Sequence, residues 1–168
     1  SKLITAIVAV SQGKPIIALF LTMICCIVLG MGVPTTANYC IMAATCAPIL
    51  IAPEIGINLV CAHFFVFYFG IVADITPPVA LAAYAGSAIA KAPPMKTAIN
   101  ATRLAIAAFI VPYILAFNPA MVFINTNAFQ VVQICITSLL GIFGIAAALN
   151  GFLFGKLNLL FKILLIAG

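Results

Sequence analysis

The chain has 168 residues, of which 67% are apolar and only 5% are charged, and its formal net charge is +5. A water-soluble domain has charges on roughly a quarter of its residues, so this composition excludes a soluble globular protein and indicates lipid as the main solvent. The cations are spread between apolar runs without a basic stripe, which argues against a nucleic-acid partner. The six cysteines show no metal-ligand spacing and are expected to be buried apolar residues.

The first long apolar run predicts a hairpin that enters the membrane and returns. Residues 1–13 read as the end of a helix, and residues 16–52 then continue for 37 residues without a charge. Two full crossings need about 40 residues plus a turn and one needs about 20, so neither count fits. The run is interrupted by GMGVPTTANY at 30–39, which we interpret as the tip of a re-entrant hairpin over 16–52. A short loop outside the membrane between two undersized spans is the alternative.

The next apolar run is too long for a single uninterrupted crossing. Residues 57–90 are broken at 74–78 by the sequence DITPP, and tandem proline forces helical backbone to unwind. We therefore predict one discontinuous span over 57–90. Residues 104–124 and 129–154 each predict a further span, which makes 1–168 a single all-α integral membrane domain.

The first interruption combines residues suited to a close approach of the backbone to a ligand. Gly30 and Gly32 allow positive φ or close approach, and Pro34 stiffens the tip. Thr35, Thr36 and Asn38 add hydroxyl and amide oxygens at the start of the returning helix, whose N-terminus suits an anionic substrate group.

The second interruption offers oxygen ligands for a small cation such as sodium. The carbonyl groups of Ala73, Asp74 and Ile75 lose their helical partners near the prolines, and the Thr76 hydroxyl and Asp74 carboxylate lie beside them. The alternative is that Asp74 caps the helix that follows or satisfies a neighbouring helix. Non-helical backbone at membrane depth requires protein or water around it, and paired discontinuous helices are typical of the midplane site of a secondary transporter.

Three segments together resemble one transporter family: GMGVPTTANY, FVFYFGIVADITPPVALAAYAGSAIA and AINATRLAIAAFIVPYILAFNPA. They are similar to the C-terminal part of the large membrane subunit of TRAP (tripartite ATP-independent periplasmic) transporters, most of all the fused type of permease. The resemblance covers roughly residues 14–124. It implies that the chain is a fragment of a longer permease, which also fits a chain that begins without Met and ends inside an apolar run.

The resemblance implies sodium-coupled import of an organic anion, often a carboxylate, across the bacterial inner membrane by a multi-pass protein. A periplasmic solute-binding protein delivers the substrate, and the fold contains two inverted repeats that work by elevator-like alternating access. This chain is then the second repeat, surrounded by lipid and by the remainder of the permease, with sodium as coupling ion and no other cofactor. The resemblance implies a cation site formed by Gly30, Gly32, Ala73 and Thr76, to which the residue pattern adds Asp74. The predicted substrate-binding residues are Thr35, Thr36, Asn38, Pro77 and Pro78.

Two other classes of function compete with transport. An intramembrane protease needs a second acid within the membrane beside Asp74 or a GxSG motif near a histidine. No other acid lies in a predicted span and no GxSG motif occurs, so we expect no enzyme. A scaffold or channel subunit remains the alternative and is favoured only if the two interruptions are ordinary loops.

Overall fold

The computed structural model describes residues 2–151, 155 and 158–167, and these residues form helices, turns and short connections. The predicted all-α class is therefore confirmed for the described part of the chain. The helices, in chain order, are α1 Lys2–Ser11, α2 Pro15–Gly30, α3 Thr35–Thr45, α4 Ala47–Ile51, α5 Leu59–Val72, α6 Leu81–Ala90, α7 Pro94–Leu104, α8 Ile106–Phe117, α9 Ala128–Asn150 and α10 Leu159–Ala167. The chain divides into two compact units, Ser1–Phe117 and Asn118–Gly168.

The first unit begins with α1 and then two apolar arms that are both short for a crossing. Helix α2 has 16 residues, and the second arm, formed by α3 and α4, runs from Thr35 to Ile51. A crossing needs about 20 residues, so neither arm reaches that length. The irregular connection is only Met31–Pro34, shorter than the predicted tip at 30–39, because α3 already begins directly after Pro34.

Helix α5 is the centre of the first unit and packs against α2, α3, α4 and α8. Its apolar residues surround the whole helix, as expected for a helix with neighbours on every side. Phe65 and Phe69 are fully buried, with ring centroids 4.8 Å apart, and Phe65 lies 5.2 Å edge-on from the ring of Tyr113 on α8. The Tyr113 hydroxyl donates to the Met23 sulfur on α2 at 3.3 Å, so one aromatic cluster joins three helices.

The first turn of α5 is capped by a side chain. Asn58 is extended, and its Oδ1 accepts a hydrogen bond from the Val60 amide at 2.9 Å. We expect Asn58→Ala to lower the melting temperature of the detergent-solubilised protein by about 2–4 °C, since loss of such a cap costs about 1 kcal/mol.

Asn127 provides a matched control for this substitution. It occupies the same capping position before α9 but makes no side-chain capping hydrogen bond. Asn127→Ala is expected to leave the melting temperature unchanged. Equal effects of the two substitutions would contradict the assigned role of Asn58.

The described residues contain two helical stretches long and apolar enough to cross a membrane, Pro94–Phe117 and Ala128–Asn150. The first overlaps the predicted span 104–124 but starts at Pro94. It ends at Phe117 because Pro119 disfavours helical backbone for Asn118.

The second unit contains the 3-10 turn Pro119–Val122 and the helices α9 and α10, which pack against each other. Gly144 on α9 allows that packing, because a Cβ there would lie 3.2 Å from the Leu165 carbonyl oxygen. Residues 152–154 at the end of the predicted span 129–154 lie outside the described residues.

Candidate functional site

The turn between α2 and α3 forms the first part of the candidate site. Gly32 has φ of +75°, a conformation that glycine adopts without strain. The next residues start α3, and both Thr35 and Thr36 are exposed there. The free amide groups of a helix N-terminus therefore open to the outside of the unit beside two hydroxyl groups.

The second part is the interruption between α5 and α6. Helical backbone ends at Val72, a 3-10 turn covers Ala73–Ile75, and helix resumes only at Leu81, with a cis bond between Pro77 and Pro78 inside the gap. The gap thus falls at the tandem prolines, which have no amide hydrogen to donate.

Side chains hold the carbonyl groups of this interruption in place. The Thr76 hydroxyl donates to the Val72 oxygen at 2.7 Å, and the Tyr84 hydroxyl on α6 donates to the Pro78 oxygen at 2.6 Å. Thr102, on α7, shares its hydroxyl hydrogen between the Ile75 oxygen, 27 residues away in sequence, and the Ala98 oxygen of its own helix, each at 3.0 Å. The irregular backbone is consequently fixed to both α6 and α7.

The two parts meet at Gly30. A Cβ built on Gly30 would lie 3.1 Å from the Ala73 Cβ, 3.1 Å from the Gly70 oxygen and 2.9 Å from Asn38 Nδ2. Contacts this close require glycine, so the end of α2 lies directly against the end of α5. On the other side of the interruption, a Cβ on Gly32 would lie 3.8 Å from Leu81 Cδ1, so the turn also reaches the start of α6.

Asn38 lies at this junction, and one of its two polar side-chain atoms has no hydrogen-bond partner among the described residues. Its Nδ2 donates to the Gly70 oxygen at 2.8 Å, and its side chain is only 3% exposed. Its Oδ1 is buried, and no hydrogen-bond partner for it occurs among the described residues. An unsatisfied buried acceptor costs about 1–3 kcal/mol, so this oxygen calls for a donor or a cation.

Thr22 Oγ1, on α2, is the other buried oxygen without a partner in the described part of the chain. A threonine hydroxyl can turn to bond the carbonyl one helical turn earlier, whereas the amide of Asn38 is held by Gly70. Asn38 is therefore the stronger indication of a ligand.

The structure separates the predicted site residues by depth. Gly30, Ala73 and Asn38 are buried, and Asp74, Thr76 and Pro77 are half-buried, whereas Gly32, Thr35, Thr36 and Pro78 are exposed. The Asp74 carboxylate makes no hydrogen bond or ion pair with any described residue, and the residue that precedes α6 is Ala80, which has no side-chain cap. Asp74 thus does not cap the helix that follows.

Three contributors to the site were not singled out from the sequence: Gly70, Tyr84 and Thr102. Gly70 carries a recognisable signal, because a glycine inside an apolar helical run costs helix stability and indicates close packing. Tyr84 and Thr102 carry none, since a tyrosine or threonine on a helix looks the same whether or not its hydroxyl reaches a distant carbonyl.

Thr102 offers a test of how the interruption is held. We expect Thr102→Val to lower the melting temperature by about 2–4 °C, because the carbonyl of the half-buried Ile75 loses its donor at nearly constant side-chain volume. Thr97→Val, on the same helix, is the control, because the Thr97 hydroxyl bonds only the carbonyl of Pro93, the residue that precedes α7. If Thr97→Val lowers the melting temperature as much as Thr102→Val, the hydrogen bond between Thr102 and Ile75 does not account for the loss of stability.

The atoms at this junction that could coordinate a ligand are oxygen atoms. No group of three or more His, Cys, Asp or Glu side chains able to hold a metal occurs in the ranges that the structure describes. Backbone carbonyls, the Asn38 amide, the Thr76 hydroxyl and the Asp74 carboxylate are the groups available to a ligand there.

A chain of this hydropathy, whose described residues are helical and include two stretches long and apolar enough to cross a bilayer, belongs to the class of helical membrane proteins. The family model described as "Tripartite ATP-independent periplasmic transporter, DctM component" matches residues 1–128, so the chain belongs to that family. The resemblance noted from three sequence segments is thereby confirmed. No curated protein and no solved structure matches the chain.

Membership in this family defines the broad function of the chain. It is a membrane component of a TRAP-type secondary transporter, not an enzyme, and it works with a periplasmic binding protein and other subunits.

Proposed function

We propose that this chain supplies the cation-binding and anion-binding half of a sodium-coupled importer of carboxylate-type organic anions in the bacterial inner membrane. The observation that carries this proposal is the buried, unpartnered Oδ1 of Asn38 beside Gly30 and Gly70. A cation bound by this oxygen would remove its desolvation penalty.

The electrostatics of the junction favour a positive ion. Gly30 ends α2 and Ala73 follows α5, so the C-terminal ends of two helices adjoin. Each such end carries a partial negative charge and carbonyl groups without helical partners. Sodium-coupled transporters bind their ion with unwound carbonyls and the C-terminal ends of half-helices, which is the donor set present here.

The cation site is completed by nearby side chains of the interruption. The Thr76 hydroxyl keeps lone pairs free while it donates to Val72, and the half-buried Asp74 carboxylate follows Ala73 directly. Gly32 allows the turn to lie against the start of α6. The burial of Asn38 supports a place for its oxygen with the cation, whereas the sequence pattern predicted a place with the substrate.

The substrate site is proposed at the start of α3. Its N-terminus carries a partial positive charge and free amide groups, and the exposed hydroxyls of Thr35 and Thr36 stand beside them. A carboxylate accepts hydrogen bonds from both kinds of donor. We include Pro77 and Pro78, at the interruption, as the apolar part of this proposed substrate site.

The membrane architecture follows from the lengths of the helices and from the family. Two arms that are too short to cross support a re-entrant hairpin over 16–52, and the gap between α5 and α6 supports a discontinuous span over 57–90. We propose that this chain forms the second inverted repeat of an elevator-type permease. The remainder of the permease completes the site, and a periplasmic solute-binding protein delivers the anion.

Transport into proteoliposomes tests this function. The complete permease is reconstituted with its binding protein, and a panel of ¹⁴C-labelled mono- and dicarboxylates is offered under an inward sodium gradient or an equal potassium gradient. We expect accumulation of at least one carboxylate with sodium only. Accumulation driven equally by a proton gradient without sodium would make protons the coupling ion and Asp74 the next residue to test, and absence of any accumulation would favour a scaffold or channel subunit.

A further inference from the structure

Two lysines lie together where α6 turns into α7, at the end of this helix pair away from the interruption. The two helices pack against each other, with the side chains of Ala83 and Ala98 buried between small neighbours. The connection between the helices is only Lys91–Pro93, and Lys96 follows in the first turn of α7. Both lysine side chains are exposed and form no ion pair with any residue that the structure describes.

The local backbone does not favour a lysine at either position. Lys91 ends α6 with φ of +51°, a left-handed conformation that glycine adopts most readily. Lys96 lies at the N-terminal end of α7, where the partial positive charge of the helix disfavours a cation, and the first turn contains no acidic residue. Arg103 differs, because it lies in the last turn of α7, where the helix itself favours a cation. The two lysine charges thus gain nothing from their own helices, which points to a negatively charged partner outside the described residues.

Large apolar side chains close to these lysines in sequence are exposed as well. Ile89 is 87% exposed, Met95 51% and Ile99 54%. At a membrane surface, a lysine extends its ammonium group to the headgroups while its stem and its apolar neighbours stay in the hydrocarbon layer. The turn between α6 and α7 combines both features.

The distribution of charge indicates which membrane surface this turn meets. Pro94–Phe117 has 24 residues and is long and apolar enough to cross a bilayer, since at 1.5 Å per residue it measures roughly 36 Å. Lys91 and Lys96 lie at its N-terminal end, whereas residues 104–150 contain no charged side chain. Cytoplasmic ends of membrane spans carry the excess of Lys and Arg, and the cytoplasmic leaflet carries anionic lipid. The charge of this turn is therefore complementary to the membrane surface that it is expected to face.

We propose that the turn formed by Ile89, Lys91, Met95 and Lys96 binds anionic phospholipid. The headgroup phosphate accepts hydrogen bonds from the two lysine ammonium groups, and Ile89 and Met95 contact the upper part of the acyl chains. A zwitterionic headgroup is a weaker ligand, because its own ammonium group offsets the phosphate charge. A free small anion gains nothing from the apolar side chains, and an acidic segment of another protein would neutralise the lysines but leave these side chains without an apolar partner.

Photolabelling of the complete permease in nanodiscs tests this proposal. Two samples in phosphatidylethanolamine contain a trace of phosphatidylglycerol or of phosphatidylethanolamine, each with a diazirine at the same position near the ester of one acyl chain. Labelled peptides are mapped by mass spectrometry, and the ratio of labelling by the two probes is compared between peptides. A lysine near an anionic surface strengthens binding about fivefold, so we expect the ratio at 89–96 to exceed that of α9 about 20-fold. Exposed apolar residues of α9 such as Phe129 and Ile136 provide the uncharged reference.

Variants identify the lysines as the cause. Lys91→Gly and Lys96→Gln are each expected to lower the ratio at 89–96 about fivefold, and the double variant to bring it to the value of α9. Because glycine suits the positive φ at position 91, Lys91→Gly should not lower the melting temperature, which separates loss of charge from loss of fold. The double variant Lys2→Gln/Lys14→Gln removes the same charge from two other exposed lysines and is expected to leave the ratio unchanged.

The alternative occupants give different results. Inorganic phosphate, compared with chloride at equal ionic strength, should not reduce the labelling, whereas displacement by phosphate would indicate a site for a free anion. Equal labelling of 89–96 by the two probes, a ratio that the lysine variants leave unchanged, or an equal loss in the Lys2→Gln/Lys14→Gln control would each overturn the proposal. Absence of any label at 89–96 would also overturn it, because another protein segment then covers the turn.

Discussion

Gly30→Ala is expected to remove the sodium-dependent stabilisation of the permease and to lower its melting temperature in the absence of sodium. The new methyl group would lie 2.9 Å from Asn38 Nδ2 and 3.1 Å from both the Ala73 Cβ and the Gly70 oxygen. Overpacking of this kind costs about 1–3 kcal/mol, and relieving it separates α2 from α5. The carbonyl groups that we assign to the cation would then lose their common geometry.

Gly86→Ala is the matched control for this substitution. Gly86 lies inside α6, and a Cβ there would meet nothing within 4 Å. Gly86→Ala gains up to about 1 kcal/mol of helix propensity and Gly30→Ala, at the last residue of α2, gains less, so a loss of stability in Gly30→Ala beyond this difference measures the contact. We expect Gly86→Ala to keep the sodium effect and to melt at or slightly above the temperature of the parent protein. A Gly30→Ala protein with the parent's melting temperature and sodium response would contradict the close junction.

Asn38→Leu is expected to abolish sodium-specific stabilisation while leaving stability without sodium nearly unchanged. Leucine has a similar size and removes both the donor to Gly70 and the unpartnered Oδ1. The two effects on the sodium-free protein oppose each other, because one hydrogen bond is lost and one unsatisfied acceptor disappears. The apparent sodium affinity is expected to fall at least about tenfold, which corresponds to about 1.4 kcal/mol.

The control is Asn100→Leu, on the exposed face of α7. It introduces the same change of residue type without touching the junction, so the sodium response should remain that of the parent. Melting curves at several sodium concentrations, with potassium keeping the ionic strength constant, measure both variants. If Asn38→Leu shows an undiminished sodium shift, the amide oxygen is not a ligand.

The positions of both interruptions could be predicted because proline and glycine act locally. Pro34 and the Pro77–Pro78 pair limit helix formation wherever they occur, and the structure has its gaps at Met31–Pro34 and after Ile75. The class of the protein followed from composition, since so few charges cannot coat a soluble surface. Local chemistry therefore located the two segments that form the candidate site.

The contact between these segments could not be predicted from the same pattern. Asn38 is expected at the tip, yet it lies one turn inside α3 and reaches Gly70, 32 residues away. The face of α3 that a residue occupies depends on where the helix starts. An error of a few residues in that start therefore assigns the residue to a different face. The aromatic run 64–69 shows the same limit. Phe65 and Phe69 are buried whereas Phe64 and Phe67 are exposed, and only the packing of α5 decides which of them lie in the core.

The measurement that tests the central claim most directly is thermal melting of the complete permease in detergent, with sodium compared against potassium at equal ionic strength. We predict a rise in melting temperature with sodium that grows with its concentration, because binding at 100 times Kd stabilises the folded state by about 2.7 kcal/mol. Potassium should produce no such rise. Identical melting curves in the two salts over a wide range of concentrations would contradict a sodium site at the junction of α2, α3 and α5.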